Sequence, residues 1–225
     1  MNNIFSNPLF GVFLTISTYM IGVKLYERFH SPMVNPLLIA IILSVTVMKL
    51  LGISYEDYMN GGICIGLLIT PATAALGLSI YRKRKILKEQ FIPIVCGCFA
   101  GSLLSMVSVV ALCHICHVRK ELILSLLPKS VTTAIAIDLS AQLGGITSVT
   151  MLAVLICGVL GAMINPLFIK ILHITDPIAI GVGMGTASHA IGTTKAIEMG
   201  EIEGAVSGVA IGVAGIITVI LSMFI

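Results

Sequence analysis

The sequence has no tryptophan and very little charge: 10% of its 225 residues are Asp, Glu, Lys or Arg, whereas 57% are hydrophobic. Its mean hydropathy is +1.10. A water-soluble domain carries about 25% charged residues, so this chain lacks the polar surface that an aqueous fold needs. The absence of tryptophan also weakens the aromatic belts that often flank a membrane. These deficits exclude a soluble globular domain and indicate that lipid is the solvent for most of the chain.

Charge of either sign is also too sparse for nucleic-acid binding. The net charge is only +3, and the basic residues occur in short clusters between apolar runs, which is typical of topology signals in membrane proteins. The strongest cluster, at residues 82–88, is expected to face the cytoplasm. We therefore expect no nucleic-acid partner.

Long apolar runs are what the sequence has in abundance. A helix needs about 20 apolar residues to cross the hydrocarbon core. We expect six full spans, at about 4–23, 34–51, 61–80, 91–113, 146–169 and 203–225. Two further stretches, 122–142 and 177–198, have sufficient length but are interrupted by polar and small residues. The predicted fold class is all-α: a polytopic helical membrane protein with six spans and two broken or re-entrant helical segments.

Parts of the sequence resemble each other, which suggests an internal repeat. Two pairs of segments match: 49–54 with 170–175, and 70–77 with 185–192. The similarity predicts one transmembrane domain, 1–225, with related halves at 1–113 and 120–225, although apolar segments also resemble one another by chance. In transporters, substrate often binds near the membrane midplane where such halves meet.

The first polar segment, 127–138, places a lysine, several hydroxyls and an aspartate between apolar flanks. A charge at membrane depth costs about 2.5–3.5 kcal/mol, which implies a partner, a water-filled cavity or a ligand. Pro128 is expected to start a helix near Lys129. The free backbone N–H groups at the start of this helix would help to bind an anion. The alternative is that 122–142 lies at the membrane surface, with the lysine extending to water. The candidate anion-binding side chains are Lys129, Ser130, Thr132 and Thr133.

The second polar segment, 183–198, combines glycines with hydrogen-bonding side chains. Glycine lets the backbone leave helical geometry. His189 is suited to proton-coupled movement, because histidine titrates near neutral pH, although a lone buried histidine more often only packs. Lys195 and Glu198 are three positions apart, so they are expected to pair on one helical face. The candidate binding residues here are Thr186, Ser188, His189 and Thr193.

Several proline-containing positions are candidate helix breaks. Proline removes an intrahelical hydrogen bond, and a neighbouring asparagine can cap the freed groups. The Asn-Pro pair at 35–36 is also explained by a simple N-terminal cap, whereas the pair at 165–166 lies deeper in its run and is the better candidate for a kink. The full set is Asn35, Pro36, Pro71, Pro128, Asn165 and Pro166.

No set of residues resembles a catalytic site. There is no phosphate loop, no G-x-S-x-G motif and no helical H-E-x-x-H motif. Residues 113–117, Cys-His-Ile-Cys-His, satisfy the C-x-x-C-H pattern of c-type haem attachment. However, the chain has no soluble domain to enclose a haem, and these side chains cannot all reach one zinc ion without strain. We therefore expect no enzyme activity, no cofactor and no metal.

Several of these motifs together resemble the LrgB/CidB family of bacterial membrane proteins, whose members were named as antiholin-like regulators of murein hydrolase export and cell lysis. Four segments carry the resemblance: 35–40, 71–76, 127–133 and 185–193. The sequence differs from the family pattern at Ala134, where proline is usual, and at Asp138, where glutamate is usual. A softened helix break is the expected effect.

The resemblance implies a function and partners beyond what the residues show. Relatives, including a plastid form fused to an LrgA-like domain, are associated with transport of pyruvate, glycolate and glycerate. The predicted function is therefore transport of small monocarboxylates across the cell (plasma) membrane. The alternative is antiholin-like regulation of murein hydrolase export and lysis without solute transport. The expected partners are a small organic anion, the lipid bilayer, a small LrgA/CidA-like membrane protein and further copies of the chain in a homo-oligomer.

Overall fold

The computed structural model describes residues 2–29 and 34–225, and every regular element within these ranges is an α-helix. The all-α prediction is therefore confirmed. In chain order the helices are α1 Asn2–Phe5, α2 Pro8–Phe29, α3 Pro36–Leu51, α4 Tyr55–Gly66, α5 Ile69–Arg82, α6 Arg84–Glu89, α7 Phe91–Ile115, α8 Lys120–Leu126, α9 Thr133–Leu143, α10 Thr147–Ile171, α11 Pro177–Met199 and α12 Glu201–Ser222.

Within the described ranges, four helices are long and apolar enough to cross a membrane: α2, α7, α10 and α12. They correspond to the predicted spans 4–23, 91–113, 146–169 and 203–225. The predicted span 34–51 is α3, which is apolar but has 16 residues.

The predicted span 61–80 differs from the structure, which divides it between α4 and α5. Helix α4 ends at Gly66, and α5 begins at Ile69. Pro71 lies in the first turn of α5, where its missing N–H costs no intrahelical bond. A continuous helix would instead lose the hydrogen bond to the carbonyl four residues earlier and bring the proline ring against it. The proline therefore favours a new helix start at this position.

Residues 1–75 form one compact unit, and the boundary to the next unit falls within α5. Small residues bring its helices close together: a Cβ atom on Gly11 of α2 would lie 3.0 Å from the Cα of Gly61 in α4. Hydroxyls add polar contacts, because Thr18 and Ser44 lie 3.0 Å apart between α2 and α3. Close backbone approach of this kind is a main source of helix association in lipid.

Residues 76–225 form the second compact unit. Its largest buried cluster joins the start of α7 to α11 and α12 through Ile94, Val182 and Val206. Two glycines of α7 let α11 approach: Cβ atoms on Gly97 and Gly101 would lie 2.8 and 2.7 Å from side-chain carbons of Val182 and Thr186. On its other side, α11 packs against α10. This packing places α11 at the centre of the unit.

Candidate functional site

The second unit contains a cavity of about 800 Å³ among α7, α10, α11 and the connection between α8 and α9. Most of its wall is apolar, but each of these four elements contributes polar side chains. The polar lining residues are Ser105 and Ser108 from α7, Lys129 and Ser130 from the connection, Cys157 and Asn165 from α10, and Thr186 and Ser188 from α11.

The connection at 127–132 corrects one prediction, because α9 begins at Thr133 and not near Lys129. Backbone N–H groups of Lys129 and Val131 donate to carbonyls three residues earlier, at 3.2 Å each, so the chain turns tightly here. Val131 is buried against Val154 and fixes this turn in the core. Pro128 lies within the turn and starts no helix. The stretch 122–142 is thus broken, as expected, but the helix after the break starts at Thr133, later than Pro128 suggested.

Lys129 is held in the cavity by two hydroxyls. Its Nζ donates hydrogen bonds to Oγ of Ser105 at 3.0 Å and to Oγ of Ser130 at 3.2 Å. The two hydroxyl oxygens lie 2.9 Å apart. These three polar groups therefore form one cluster, built from α7 and the connection.

The charge of Lys129 has no carboxylate beside it among the described residues. The ion pairs within 4.0 Å in this part of the chain are Lys83–Glu201 and Lys195–Glu198. Asp138, the aspartate of the same polar segment, is exposed on α9. The ammonium of Lys129 is thus compensated only by hydroxyl dipoles inside the protein.

Helix α10 holds the polar part of α11 against the cavity. Asn165 Nδ2 donates a hydrogen bond of 2.8 Å to Ser188 Oγ, and Ser188 is 0% exposed. Gly161 makes room for it, because a Cβ atom there would lie 2.8 Å from Ser188 Cβ. Cys157 Sγ donates to the carbonyl of Ala187 at 3.4 Å. These contacts fix the position of residues 187 and 188.

Helix α11 is broken at His189, which has φ 40° and ψ −137°. A positive φ is uncommon for any residue other than glycine, and such a conformation persists only where the surroundings impose it. His189 is 3% exposed, and its Nε2–H donates to the carbonyl of Val154 at 3.0 Å. The ring lies over Gly158, where a Cβ atom would be 2.6 Å from Cε1. The expected break in 177–198 is confirmed, and α10 stabilises it.

The eight predicted binding residues divide into two groups. Lys129, Ser130, Thr186 and Ser188 line the cavity, whereas Thr132, Thr133, His189 and Thr193 do not. Thr193 instead links α11 to α12 by a hydrogen bond, because its hydroxyl lies 2.7 Å from that of Ser207. Thr132 occupies the N-cap position of α9 without a side-chain capping bond, and Thr133 is exposed. The predicted ion pair of Lys195 with Glu198 is confirmed at 2.6 Å.

The predicted helix breaks have different outcomes. Asn35 caps α3, accepting bonds from the N–H groups of residues 37 and 38, and Pro36 is the first residue of that helix. The helix is not interrupted at 165–166, because α10 continues through Pro166 to Ile171, and a kink at this position stays a prediction. Pro166 removes one intrahelical bond there, and Asn165 contacts Ser188 and not its own helix end.

Three lining residues were missed from sequence: Ser105, Ser108 and Cys157. Asn165 was identified as a helix break but not as a site residue. A polar residue inside a span is a signal of function, but single serines and cysteines are common in apolar helices. Their spatial convergence on Lys129 and Ser188 is the missing information.

The C-x-x-C-H motif lies at the end of α7. Cys113 is buried and Cys116 is exposed. In the part of the chain that the structure describes, no group of three His, Cys, Asp or Glu residues could hold a metal ion.

The chain is similar to one protein family and to several individual proteins. A family model described as LrgB-like family matches residues 15–225. The chain is 38% identical over 206 residues to the protein YxaC of Bacillus subtilis (strain 168), which is described as uncharacterized, covering 92% of this chain and 90% of that protein. It is 35% identical over 216 residues to the antiholin-like protein LrgB of the same strain, covering 96% and 94%. It is 34% identical over 217 residues to the antiholin-like protein LrgB of Bacillus mycoides (strain KBAB4), covering 95% and 94%. No solved structure matches this chain.

Proposed function

The chain belongs to the LrgB-like family, and from this premise and the geometry of the cavity we propose that it transports small monocarboxylates, such as pyruvate, glycolate or glycerate, across a membrane. One observation carries the proposal: the ammonium of Lys129 lies in a largely apolar cavity with hydroxyl partners but without a carboxylate within 4.0 Å among the described residues. A charge in such surroundings is costly unless it is paired. A carboxylate ligand would supply the missing negative charge.

Hydrogen-bond accounting supports a carboxylate in particular. The ammonium has three donor hydrogens, of which Ser105 and Ser130 accept two. The two hydroxyls carry one hydrogen each, and one of these is used between them. One ammonium hydrogen therefore remains for a ligand. The remaining hydroxyl hydrogen meets only the sulfur of Cys157, which lies 3.9 Å from Ser130 Oγ, and a carboxylate oxygen is a stronger acceptor than this weak one. Two adjacent donors, one of them charged, suit the two oxygens of a single carboxylate.

The charge of the cavity supports one carboxylate per ligand. Of the described residues that line it, Lys129 is the only basic one. A second carboxylate would enter mostly apolar surroundings without a cation. The volume of about 800 Å³ lies within the usual range for small-molecule sites, about 300–1,000 Å³, and leaves room for water around a small acid.

The break in α11 supports movement of the ligand. Ser188 lines the cavity, and the strained residue follows directly at 189. A backbone change at His189 would therefore move Ser188 relative to Lys129. Discontinuous helices next to a midplane site are the usual construction of secondary transporters.

Several finer features belong to the same proposal. We propose a single transmembrane domain in which the four long apolar helices α2, α7, α10 and α12 cross the membrane beside shorter and broken segments, with related halves at 1–113 and 120–225. We also propose a location in the plasma membrane, a small LrgA/CidA-like membrane partner, a homo-oligomeric assembly and no enzymatic activity.

The test is uptake of labelled pyruvate, lactate, glycolate and glycerate by the protein reconstituted in liposomes. Replacing Lys129 by alanine removes the charge-assisted bonds to the ligand, each worth about 1.5–3 kcal/mol. We expect Lys129→Ala to lower uptake at least about tenfold. The control is Lys120→Ala, an exposed residue at the start of α8 that lies outside the cavity. Equal uptake by the Lys129→Ala variant and the unmodified protein would refute the proposal.

A second function is favoured by the names of two relatives, each an antiholin-like protein LrgB. In this alternative the chain regulates murein hydrolase export and lysis without moving a solute. The discriminating measurement is lysis in cells that carry the Lys129→Ala variant. Lysis control that survives the loss of Lys129 supports the regulatory function, whereas joint loss of uptake and lysis control supports transport as its basis.

A further inference from the structure

Four basic side chains converge on a pocket outside the Lys129 cavity, at the junction of α5 and α6. The pocket has a volume of about 320 Å³ and is lined by Arg82, Arg84, Lys85 and Lys88. In the described part of the chain, no carboxylate lies within 4.0 Å of their charged nitrogens. Lys83, which lies between Arg82 and Arg84 in sequence, does not line the pocket and pairs with Glu201 at 2.6 Å. The pocket thus concentrates positive charge, of which only that of Arg82 is partly compensated, by the carboxylate of Glu201 nearby.

An apolar groove adjoins this basic pocket. It has a volume of about 360 Å³, and Arg84 and Lys88 line both spaces. The remaining walls of the groove are apolar: Leu87, Phe91, Ile94 and Val209. Phe91 is 58% exposed. The two spaces together form a composite site that is cationic at one end and apolar at the other.

The composite site lies where two spans begin. Helix α7 starts at Phe91 and α12 starts at Glu201, and both are long and apolar enough to cross a membrane. The Lys83–Glu201 pair holds the start of α12 beside the basic segment. Val209 lies eight residues further along α12, which corresponds to about 12 Å. The groove therefore leads from the charged ends of these spans toward the depth of the acyl chains.

Arg84 is ordered before any ligand arrives. Its guanidinium lies 4.1 Å from the centre of the Tyr81 ring, and Nη1 donates to the Tyr81 carbonyl at 3.1 Å. One of its five N–H donors is used in this contact. The others remain for a phosphate, which guanidinium groups bind with matching geometry.

We propose that this composite site binds an anionic phospholipid, with its phosphate among the basic side chains and an acyl chain in the apolar groove. A zwitterionic lipid brings its own cation to the headgroup and leaves the net charge of the four basic residues unchanged, whereas an anionic lipid neutralises part of their charge. Free phosphate satisfies the pocket but leaves the groove unfilled. The site uses none of the residues of the Lys129 cavity, so it is independent of the transport proposal.

The absence of tryptophan from the sequence makes a direct test available. The variant Phe91→Trp places the single tryptophan of the chain in the groove, where its fluorescence can be excited selectively and is quenched on contact by lipids brominated on their acyl chains. We expect brominated phosphatidylglycerol to quench this residue at a lower mole fraction than brominated phosphatidylcholine. The matched reporter is Phe168→Trp, an exposed position on α10 that does not line the groove, where both lipids should quench equally.

Replacing single basic residues of the pocket tests whether they bind the lipid headgroup. In the Phe91→Trp background, Arg84→Gln and Lys88→Gln should each weaken the preference for phosphatidylglycerol by about fivefold. Lys170→Gln, which removes an exposed charge elsewhere, should leave the preference unchanged. Equal quenching of Phe91→Trp by both lipids would overturn the proposal. Displacement of phosphatidylglycerol by inorganic phosphate would also overturn it, because the pocket would then bind phosphate without the groove.

Discussion

At the scale of single residues, the behaviour of Lys129 depends on Ser105. The two lie 24 positions apart in sequence and on different elements, yet Nζ and Oγ are 3.0 Å apart. Ser105 also contacts Ser130 at 2.9 Å. It therefore sets the direction in which both the ammonium and the second hydroxyl present their remaining hydrogens.

Replacing Ser105 tests this arrangement. Ser105→Ala removes one partner of a charged group, a contact worth about 1.5–3 kcal/mol. We expect the substrate concentration for half-maximal uptake to rise about tenfold or more in proteoliposomes. Ser108→Ala is the matched control. Ser108 lines the same cavity, but its hydroxyl donates to the backbone carbonyl of Ser105 at 2.8 Å and does not contact the ammonium of Lys129. Similar effects of the two substitutions would contradict the assigned role of Ser105.

The sequence predicts only the part of the site that is local in the chain. Lys129 and Ser130 are recognisable because a charge beside hydroxyls between apolar flanks is unusual at membrane depth. Ser188 is recognisable from the glycine-rich segment around it. Ser105 and Asn165 contribute as much to the geometry, but each is an isolated polar residue on an apolar helix. Their roles follow from helix packing, which hydropathy does not encode.

At the scale of elements, the contact between α10 and α11 depends on small residues. Gly158 accommodates the ring of His189, and Gly161 accommodates Ser188. Larger residues at these positions would separate the two helices and relax the break at His189.

Adding one methyl group at Gly158 tests how closely α10 and α11 pack. Gly158→Ala would place Cβ 2.6 Å from Cε1 of His189, so the ring must move away from the Val154 carbonyl. We expect a loss of about 1–3 kcal/mol of stability, typical of overpacking, measured as a lower midpoint of thermal unfolding in detergent by circular dichroism. Gly212→Ala is the control, because a Cβ there meets no atom within 4 Å and alanine favours the helix by about 1 kcal/mol. Equal midpoints for the two variants would show that the α10–α11 contact tolerates more volume than the structure indicates.

Hydropathy predicts where helices exist better than where they end. The run 61–80 contains no charged residue, yet its backbone turns between Gly66 and Ile69. In 122–142 the break was anticipated, but the buried side chain of Val131 moves the start of α9 to Thr133. Lipid compatibility is a property of composition, whereas a turn depends on one proline or one anchored side chain.

At the scale of the whole molecule, family membership was predictable from four short motifs and is confirmed by the match over residues 15–225. The substrate is not encoded in this way. The proposed substrate class rests instead on the number of charges in the cavity, where Lys129 is the single basic residue among the described lining residues.

This count predicts selectivity between classes of acid. Unlabelled monocarboxylates should compete with labelled pyruvate for uptake in proteoliposomes at least about tenfold better than malonate or succinate. The second carboxylate of these diacids would have no cation beside it, and an unpaired buried charge costs several kcal/mol. Neutral analogues of similar size, such as glycerol, provide the control for shape. Competition by dicarboxylates as strong as that by monocarboxylates would exclude a site with one compensating charge.

The strained backbone at His189 has a further consequence for the proposed function, because it links the conformation of α11 to ligand binding in the cavity. A residue held at φ 40° stores about 1–3 kcal/mol, which corresponds to roughly a 5–150-fold bias between two conformers. In the proposed function, an anion that binds the bent form of α11 more tightly than a straight form raises the population of the bent form, and straightening the helix weakens its binding by the ratio of the two affinities. In the proposed function, binding and release of the ligand are therefore coupled to the backbone conformation of one residue.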